Sequence, residues 1–168
     1  MQQDIIEATQ WVIQQGGIKQ DKVCIKGGSF GGYSAVQFAA LAPDLFKCVV
    51  AVAGVYDLEM LFNGSNIPRI IYGEKYLIEQ LGMDKALMRT YSPVHNVAKL
   101  KASLLIAHSK KDEQVPFKHA LALKEELDRQ GKKYAWFVKN SEGHGFFDEQ
   151  NRTEYFETVV KFLAKELQ

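Results

Sequence analysis

Four short apolar segments without polar alternation constrain the fold of this sequence more than any other feature. They read KVCIK at 22–26, KCVVAVAG at 47–54, SLLIAHS at 103–109 and KYAWFVK at 133–139. Segments with a helical period lie before, between and after them, at 4–17, 33–43, 117–131 and 152–168. Strands that are apolar on both faces and alternate with amphipathic helices form parallel sheets covered on both sides. The sequence therefore predicts an α/β fold with about four parallel strands and flanking helices.

The length of the chain and one irregular region set the domain organisation. With 168 residues the chain can bury one ordinary hydrophobic core, so we expect a single domain over residues 1–168. Residues 54–101 break the alternation, because short helical pieces there are separated by glycine and proline. We expect this region to be an excursion of short helices between two strands.

Charge, hydropathy and cysteine usage limit the partners and the location. The 21 Lys+Arg against 20 Asp+Glu leave no basic surface for nucleic acid or an anionic membrane. No apolar run approaches the roughly 20 residues that a bilayer span needs, and the start MQQDIIEATQ has no secretion-signal pattern, so a cytoplasmic location is expected. Cys24 and Cys48 lie inside apolar runs without metal-ligand spacing, so we expect buried thiols.

One serine lies in a glycine-rich turn between the first apolar run and the helix that follows. Gly27, Ser29 and Gly31 match the G-x-S-x-G pattern of a nucleophile elbow. This spacing holds the serine on a tight strand-to-helix turn, where side chains at both flanking positions would collide with neighbouring backbone. The N–H of Phe30, at the start of the helix, would point towards a developing oxyanion. A glycine-rich turn that serves only the backbone is the alternative.

Two further polar loops follow predicted strands at the same edge of the sheet. KKDEQVP offers Asp112, and NSEGHGFF offers His144 between two glycines. Ligands of open parallel sheets bind beyond the carboxyl ends of the strands. The order Ser29, Asp112, His144 is that of α/β-hydrolases, in which the histidine takes the serine proton and the acid orients the imidazole. A backbone-contacting role for His144, and Asp57 as the acid, remain alternatives.

The other aspartate and histidine candidates have simpler interpretations. Asp148 precedes the last helix and is expected to be a surface residue or a helix cap. His95, His108 and His119 are expected to be packing or surface residues, because none lies in a glycine-flanked loop after a strand.

Four stretches together resemble the catalytic domain of the prolyl oligopeptidase family, nearest its acylaminoacyl-peptidase and dipeptidyl-peptidase branches. They read GGSFGGYSA, AVAGVYDL, HSKKDEQVP and SEGHGFFDEQNRTEYFETVVKFL, and the resemblance covers almost the whole chain. Its most specific part is GHGF followed by NR and a terminal amphipathic helix. The resemblance implies a serine peptidase acting on short peptides near their N-termini, without metal or cofactor. It also implies that Ser29 is the nucleophile, Asp112 the acid and His144 the base.

The same resemblance implies a pocket for the residue before the scissile bond. Its lining would be Phe30, Val55, Leu58, Leu61 and Val115. All five are apolar, which suits proline, alanine or a hydrophobic side chain and disfavours a charged one. For Leu58 and Leu61, membership of the ordinary core is an equally good interpretation.

The chain also departs from the family pattern. Ser109 stands where the family usually has glycine after the histidine. An α/β-hydrolase sheet normally has eight strands, so the resemblance places this chain in the C-terminal part of the catalytic domain. The first four strands, the second oxyanion donor and the N-terminal propeller are then expected outside it. Loss of one oxyanion donor costs about 10²–10³ in rate, so we expect the isolated chain to be a poor enzyme.

The expected fold has an open sheet edge, and the chemistry leaves alternatives. The first strand would pair on one side only, which predicts a homodimer through that edge or aggregation.

A small-ester hydrolase would use the same serine, acid and histidine, because both reactions pass through an acyl-serine. A catalytically idle fragment or interaction module is the third interpretation.

Overall fold

The computed structural model describes residues 2–168, and its centre is a four-stranded parallel sheet. The strands are β1 (Cys24–Gly28), β2 (Cys48–Val52), β3 (Ser103–Ser109) and β4 (Tyr134–Lys139). Their order in the sheet is β1-β2-β3-β4, and every neighbouring pair is parallel. The predicted α/β fold class, with about four parallel strands, is confirmed.

Seven α-helices connect or flank the described strands. They are α1 (Gln2–Gln14), α2 (Phe30–Leu41), α3 (Leu58–Gly64), α4 (Gly73–Leu81), α5 (Lys85–Tyr91), α6 (Lys118–Arg129) and α7 (Glu149–Glu166). Helices α3, α4 and α5, together with short 3₁₀ turns, occupy the long connection between β2 and β3. None of the helices in residues 2–168 combines the length and the hydrophobicity needed to cross a bilayer.

The central strands are buried on both faces, as their unbroken apolar pattern requires. In β2, Val49 and Ala51 join the core cluster that contains residues of α2 and α6. Val50, between them, belongs to the opposite cluster, which contains Tyr155 and Phe162 of α7. Successive side chains of a strand point to opposite faces, so a strand between two helical layers needs apolar residues at every position.

Cys24 and Cys48 form a disulfide, so the expectation of two buried thiols is wrong. The two residues are register partners at the starts of β1 and β2, with Cα atoms 4.6 Å apart. That distance falls within the range that a disulfide can bridge. Their separation of 24 residues gave no sign of this pairing, because the register of parallel strands is set by tertiary packing. Disulfides are uncommon in reducing compartments, so the bond weighs against the expected cytoplasmic location.

Candidate active site

Ser29 lies in a strained turn between β1 and α2. Its φ of 55° is in the left-handed region, which residues other than glycine rarely adopt. The turn is fixed on both sides: the Ser29 N–H donates to the Val52 carbonyl at 2.8 Å, and the Ser29 carbonyl accepts from Gly32 and Tyr33. A backbone conformation of this kind persists only where the surroundings enforce it, and such strain concentrates at functional sites.

The glycines around Ser29 differ in how much they are needed. A Cβ on Gly27 would lie 2.1 Å from the Gly31 carbonyl oxygen, so glycine is required there. A Cβ on Gly31 would have no neighbour within 4 Å, so the expectation of a collision at this second motif position is wrong. Gly32 is the second tight position, because its Cβ would lie 2.8 Å from the Val52 carbonyl oxygen where α2 crosses β2.

The loops after β3 and β4 bring Asp112 and His144 to Ser29. The His144 Nε2 atom lies 2.8 Å from the Ser29 Oγ, and its Nδ1 atom lies 2.8 Å from Asp112 Oδ2. The other carboxylate oxygen of Asp112 accepts the N–H groups of Gln114 at 3.0 Å and Val115 at 2.9 Å. Asp112 is buried, so these bonds hold its carboxylate in one orientation towards the imidazole.

The remaining polar candidates have structural partners of their own. Asp57 caps α3 by accepting the Met60 N–H at 3.0 Å, so Asp112, and not Asp57, is the acid that reaches His144. Asp148 caps α7 by accepting the Asn151 N–H at 3.0 Å, which confirms the predicted helix cap. A position after a strand does not distinguish Asp112 from Asp57; only the resemblance carried by HSKKDEQVP indicated Asp112 in the sequence.

Phe30 begins α2, directly after Ser29. The N–H groups in the first turn of an α-helix have no carbonyl partner within that helix, and the helix dipole makes this end attractive to negative charge. The Phe30 N–H is therefore available to an oxyanion formed at Ser29. The Phe30 ring is half-exposed and packs on the Tyr33 ring at 5.1 Å between centroids.

A cavity of about 180 Å³ opens beside Ser29. All five residues expected to form the pocket lie in its wall: Phe30, Val55, Leu58, Leu61 and Val115. Leu58 and Leu61 are also members of a buried apolar cluster, so the core and the pocket interpretations hold together for these two. The cavity is smaller than the roughly 300–1,000 Å³ typical of whole-ligand sites, so its size suits one side chain.

Sequence reasoning missed the other half of this cavity. Its remaining wall comes mainly from α4 and the 3₁₀ turn before it: Ile67, Tyr76, Leu77, Gln80, Leu81 and Gln114. The apolar spacing of Leu77 and Leu81 on one face of α4 could have indicated a buried face. Which cavity this face closes depends on how residues 54–101 fold back over the sheet.

Two buried histidines lie outside the Ser29–His144–Asp112 chain. His108 lies near the end of β3. Its Nε2 atom is 2.8 Å from the Val115 carbonyl oxygen, and burial lowers the pKa of its imidazole. His119, on α6, receives the Asp57 N–H at its Nδ1 over 3.4 Å. Burial lowers the pKa of His119 to about 4, partly opposed by the negative charge of Asp57. Both histidines are fully buried, whereas His95 is exposed, in line with the expectation of packing or surface residues. The His108 Nε2 also lies 3.5 Å from Asp112 Oδ2, the carboxylate oxygen that contacts His144.

We expect His119 to make the fold less stable in acid. Its pKa is about 4 in the folded chain and about 6.5 when unfolded, so between these values the unfolded state binds the extra proton. Stability should therefore fall as the pH drops from about 6.5 to 4, by about 3 kcal/mol from this group. His119→Leu should flatten this part of a plot of unfolding free energy against pH. An unchanged slope in the variant would contradict the assignment.

Comparison with known proteins identifies the family. All of residues 1–168 match the model of the prolyl oligopeptidase family. The chain belongs to the prolyl oligopeptidase family. Its relatives include dipeptidyl aminopeptidase BIII of Pseudoxanthomonas mexicana, which is 28% identical over an alignment of 180 positions. That alignment covers 98% of this chain and 24% of that protein. Inactive dipeptidyl peptidase 10 of Rattus norvegicus is also 28% identical, over 96% of this chain and 19% of that protein.

A solved structure shows the same fold. The puromycin-hydrolyzing peptidase of Mycobacterium tuberculosis superposes with a TM-score of 0.87 at 22% identity, over 96% of this chain and 24% of that one. The chain thus spans about a quarter of the length of dipeptidyl aminopeptidase BIII and of this peptidase. This partial α/β-hydrolase sheet is therefore similar to one part of larger peptidases.

Proposed function

We propose that this chain carries the nucleophile, acid and base of a serine peptidase that hydrolyses short peptides near their N-termini. The observation that carries the proposal is the continuous line of hydrogen-bonding contacts from Ser29 through His144 to Asp112, with 2.8 Å at each step. The preference for N-terminal residues follows dipeptidyl aminopeptidase BIII, to which this chain is similar.

The geometry supports an acyl-serine mechanism. With a proton on Nδ1, His144 donates to Asp112 and its free Nε2 accepts the Ser29 hydroxyl proton as the oxygen attacks the peptide carbonyl. The Phe30 N–H donates to the resulting oxyanion. The imidazolium then returns the proton to the leaving amine, which yields an ester on Ser29. Water, deprotonated by the same imidazole, hydrolyses this ester and releases the acid product.

The cavity beside Ser29 supports an apolar residue before the scissile bond. Val55, Leu58, Leu61 and Val115 surround it, and no charged side chain lines it among the described residues. A charged substrate side chain would lose its hydration there without gaining a partner, so proline, alanine or a hydrophobic residue is preferred.

A fluorophosphonate probe tests the proposal. We expect the probe to label the wild-type chain and not Ser29→Ala, while Ser103→Ala, a change at the start of β3 and so at the end of the sheet opposite Ser29, should label normally. An aminoacyl-arylamide should be hydrolysed in preference to a short acyl ester; the reverse preference would indicate a small-ester hydrolase. A wild-type chain that the probe does not label would overturn the proposal in favour of a catalytically idle chain.

We also propose that two copies of the chain associate through β1. Within residues 2–168, β1 pairs with β2 only, so its other side presents unpaired backbone groups. An open apolar groove lies beside this edge, and Ile5, Val12, Ile18 and Val23 are among its lining residues. We expect light scattering after size exclusion to give twice the 19.0 kDa chain mass, and Val12→Lys to reduce it. A monomer at all concentrations would refute the association.

A further inference from the structure

The loop that carries His144 has little regular structure of its own. This histidine loop, residues 140–148, runs from the end of β4 to the start of α7. A single tight turn surrounds His144, in which the Gly145 N–H donates to the Gly143 carbonyl at 2.9 Å. Such a turn orients neighbouring peptides but does not attach them to the sheet. The position of the imidazole therefore depends on contacts made elsewhere in the loop.

The carboxylate of Glu142 closes the loop on itself. One oxygen accepts the Phe147 N–H at 3.1 Å; the other accepts the Asp148 N–H at 3.1 Å and the Asn151 side-chain amide at 2.7 Å. Glu142 is only 6% exposed, and these donors lower its pKa, the Asn151 amide most of all. The carboxylate thus joins the residues before and after His144 and ties both to the first turn of α7.

The main chain of Glu142 is attached to the strand that carries the acid. The Ser109 hydroxyl donates to the Glu142 carbonyl oxygen, and Ser109 is the last residue of β3, three positions before Asp112. Ser109 is buried, so this bond is shielded from water. A glycine at this position, which the family pattern favours, could not make it. The hydroxyl therefore links the histidine loop to the end of β3, three residues before Asp112.

Capping of α7 does not explain the Glu142 contacts. Asp148 already caps that helix through the Asn151 N–H at 3.0 Å. The part of the loop nearest α7 is also held by Phe146, whose ring lies 5.2 Å from Phe137 and 5.0 Å from Tyr155 between centroids. The additional effect of the Glu142 carboxylate is to join the two ends of the segment that contains His144, through the N–H groups of Phe147 and Asp148.

We propose that Glu142 is a positioning residue for His144, held in place by Ser109. The inference rests on the proposed function, because it concerns the geometry of the same imidazole. By fixing the loop at both ends, Glu142 keeps His144 within reach of Ser29 and Asp112 at once. A displacement of about 1 Å at such a group can cost up to 10²-fold in rate. Glu142 does not contact the reacting atoms, so it acts only through the histidine.

Glu142→Gln is the sharpest test. Glutamine has the same shape but one acceptor oxygen, so its NH₂ group must face either the Phe147 N–H or the Asp148 and Asn151 donors. Glu149→Gln is the matched control, because it removes the same charge from the exposed start of α7 without touching the loop. The Phe146 anchor should keep Glu142→Gln folded. Ser109→Ala independently removes the second attachment by deleting one buried hydroxyl.

Two readouts separate positioning from general stability. The first is the NMR resonance of the His144 Nδ1–H, which reports the hydrogen bond to Asp112 and needs no activity. The second is the rate of fluorophosphonate labelling at Ser29. We expect Glu142→Gln to shift or lose the resonance and to slow labelling on the order of 10–100-fold, with Glu149→Gln unchanged in both. Ser109→Ala should change both in the same direction.

Each outcome decides one of the two proposals. Wild-type resonance and labelling rate in Glu142→Gln would overturn the positioning role. If that variant does not fold, unchanged readouts in Ser109→Ala would overturn it instead. A wild-type chain that shows the resonance but resists the probe would refute the peptidase proposal alone. Loss of the resonance in Glu142→Gln would then still support positioning.

Discussion

Asp112→Asn should slow fluorophosphonate labelling of Ser29 by about 10⁴-fold. The Asp112 Oδ1 atom accepts two backbone N–H groups, so the asparagine oxygen should remain there and its NH₂ should face His144. An NH₂ group cannot accept the Nδ1 proton. The imidazole should therefore carry its proton on Nε2, where it can no longer accept the Ser29 hydroxyl proton. The rate is measured as probe incorporation over time at neutral pH.

Asp57→Asn is the matched control for this substitution. Asp57 follows β2 and is the other acid that the sequence offered, but its carboxylate caps α3. Asparagine caps helices about as well as aspartate, so both the fold and the labelling rate should persist. Thermal unfolding of both variants checks that neither effect reflects loss of structure. A larger rate loss in Asp57→Asn than in Asp112→Asn would contradict the assignment of the acid.

Gly27→Ala should destabilise the fold by about 3 kcal/mol or more, at or above the upper end of typical overpacking costs. The added methyl group would lie 2.1 Å from the carbonyl oxygen and 2.3 Å from the carbonyl carbon of Gly31. These atoms belong to the first turn of α2, so no side-chain rotation can relieve the collision. The turn must widen, which also moves Ser29 away from His144. Urea denaturation measures the change in unfolding free energy.

Gly31→Ala tests whether the effect is steric or follows from the motif itself. Gly31 is the other flanking glycine of G-x-S-x-G, yet its Cβ would meet no atom within 4 Å. Alanine is favoured over glycine in a helix by up to about 1 kcal/mol, so the variant should be as stable as the wild type or more stable. Equal losses of stability in Gly27→Ala and Gly31→Ala would show that the steric argument is wrong.

Much of the fold could be predicted because it depends on local patterns. β3 was predicted at its observed bounds, Ser103–Ser109, because an unbroken apolar run between loops has one good solution, a buried strand. α1 (Gln2–Gln14) lies largely within the helical segment predicted over 4–17 and ends before Gly16 and Gly17, both at positive φ. Which side chains of α1 are buried was less predictable. Trp11 belongs to the apolar pattern of α1, yet its side chain is 61% exposed.

Part of the candidate site could be predicted from the sequence, and the rest depends on the tertiary structure. The positions of Ser29, Asp112 and His144 after separate strands follow from the sequence, since parallel strands place their carboxyl ends at one edge. The contribution of α4 to the cavity could not be predicted, because it depends on how the β2–β3 connection folds back over the sheet. The same holds for the Glu142 contacts, which join segments by side-chain geometry.

By itself, the sequence determined the parallel sheet, the tight turn at Ser29 and the chain order of nucleophile, acid and histidine. These features are encoded in periodicity and turn residues within a few positions of one another. Only the tertiary structure decided that Asp112 faces His144 while Asp57 caps a helix, that Cys24 bonds to Cys48, and which glycine the turn requires. The physical reason is that each of these depends on distances of a few ångströms between segments far apart in the chain, and packing sets those distances.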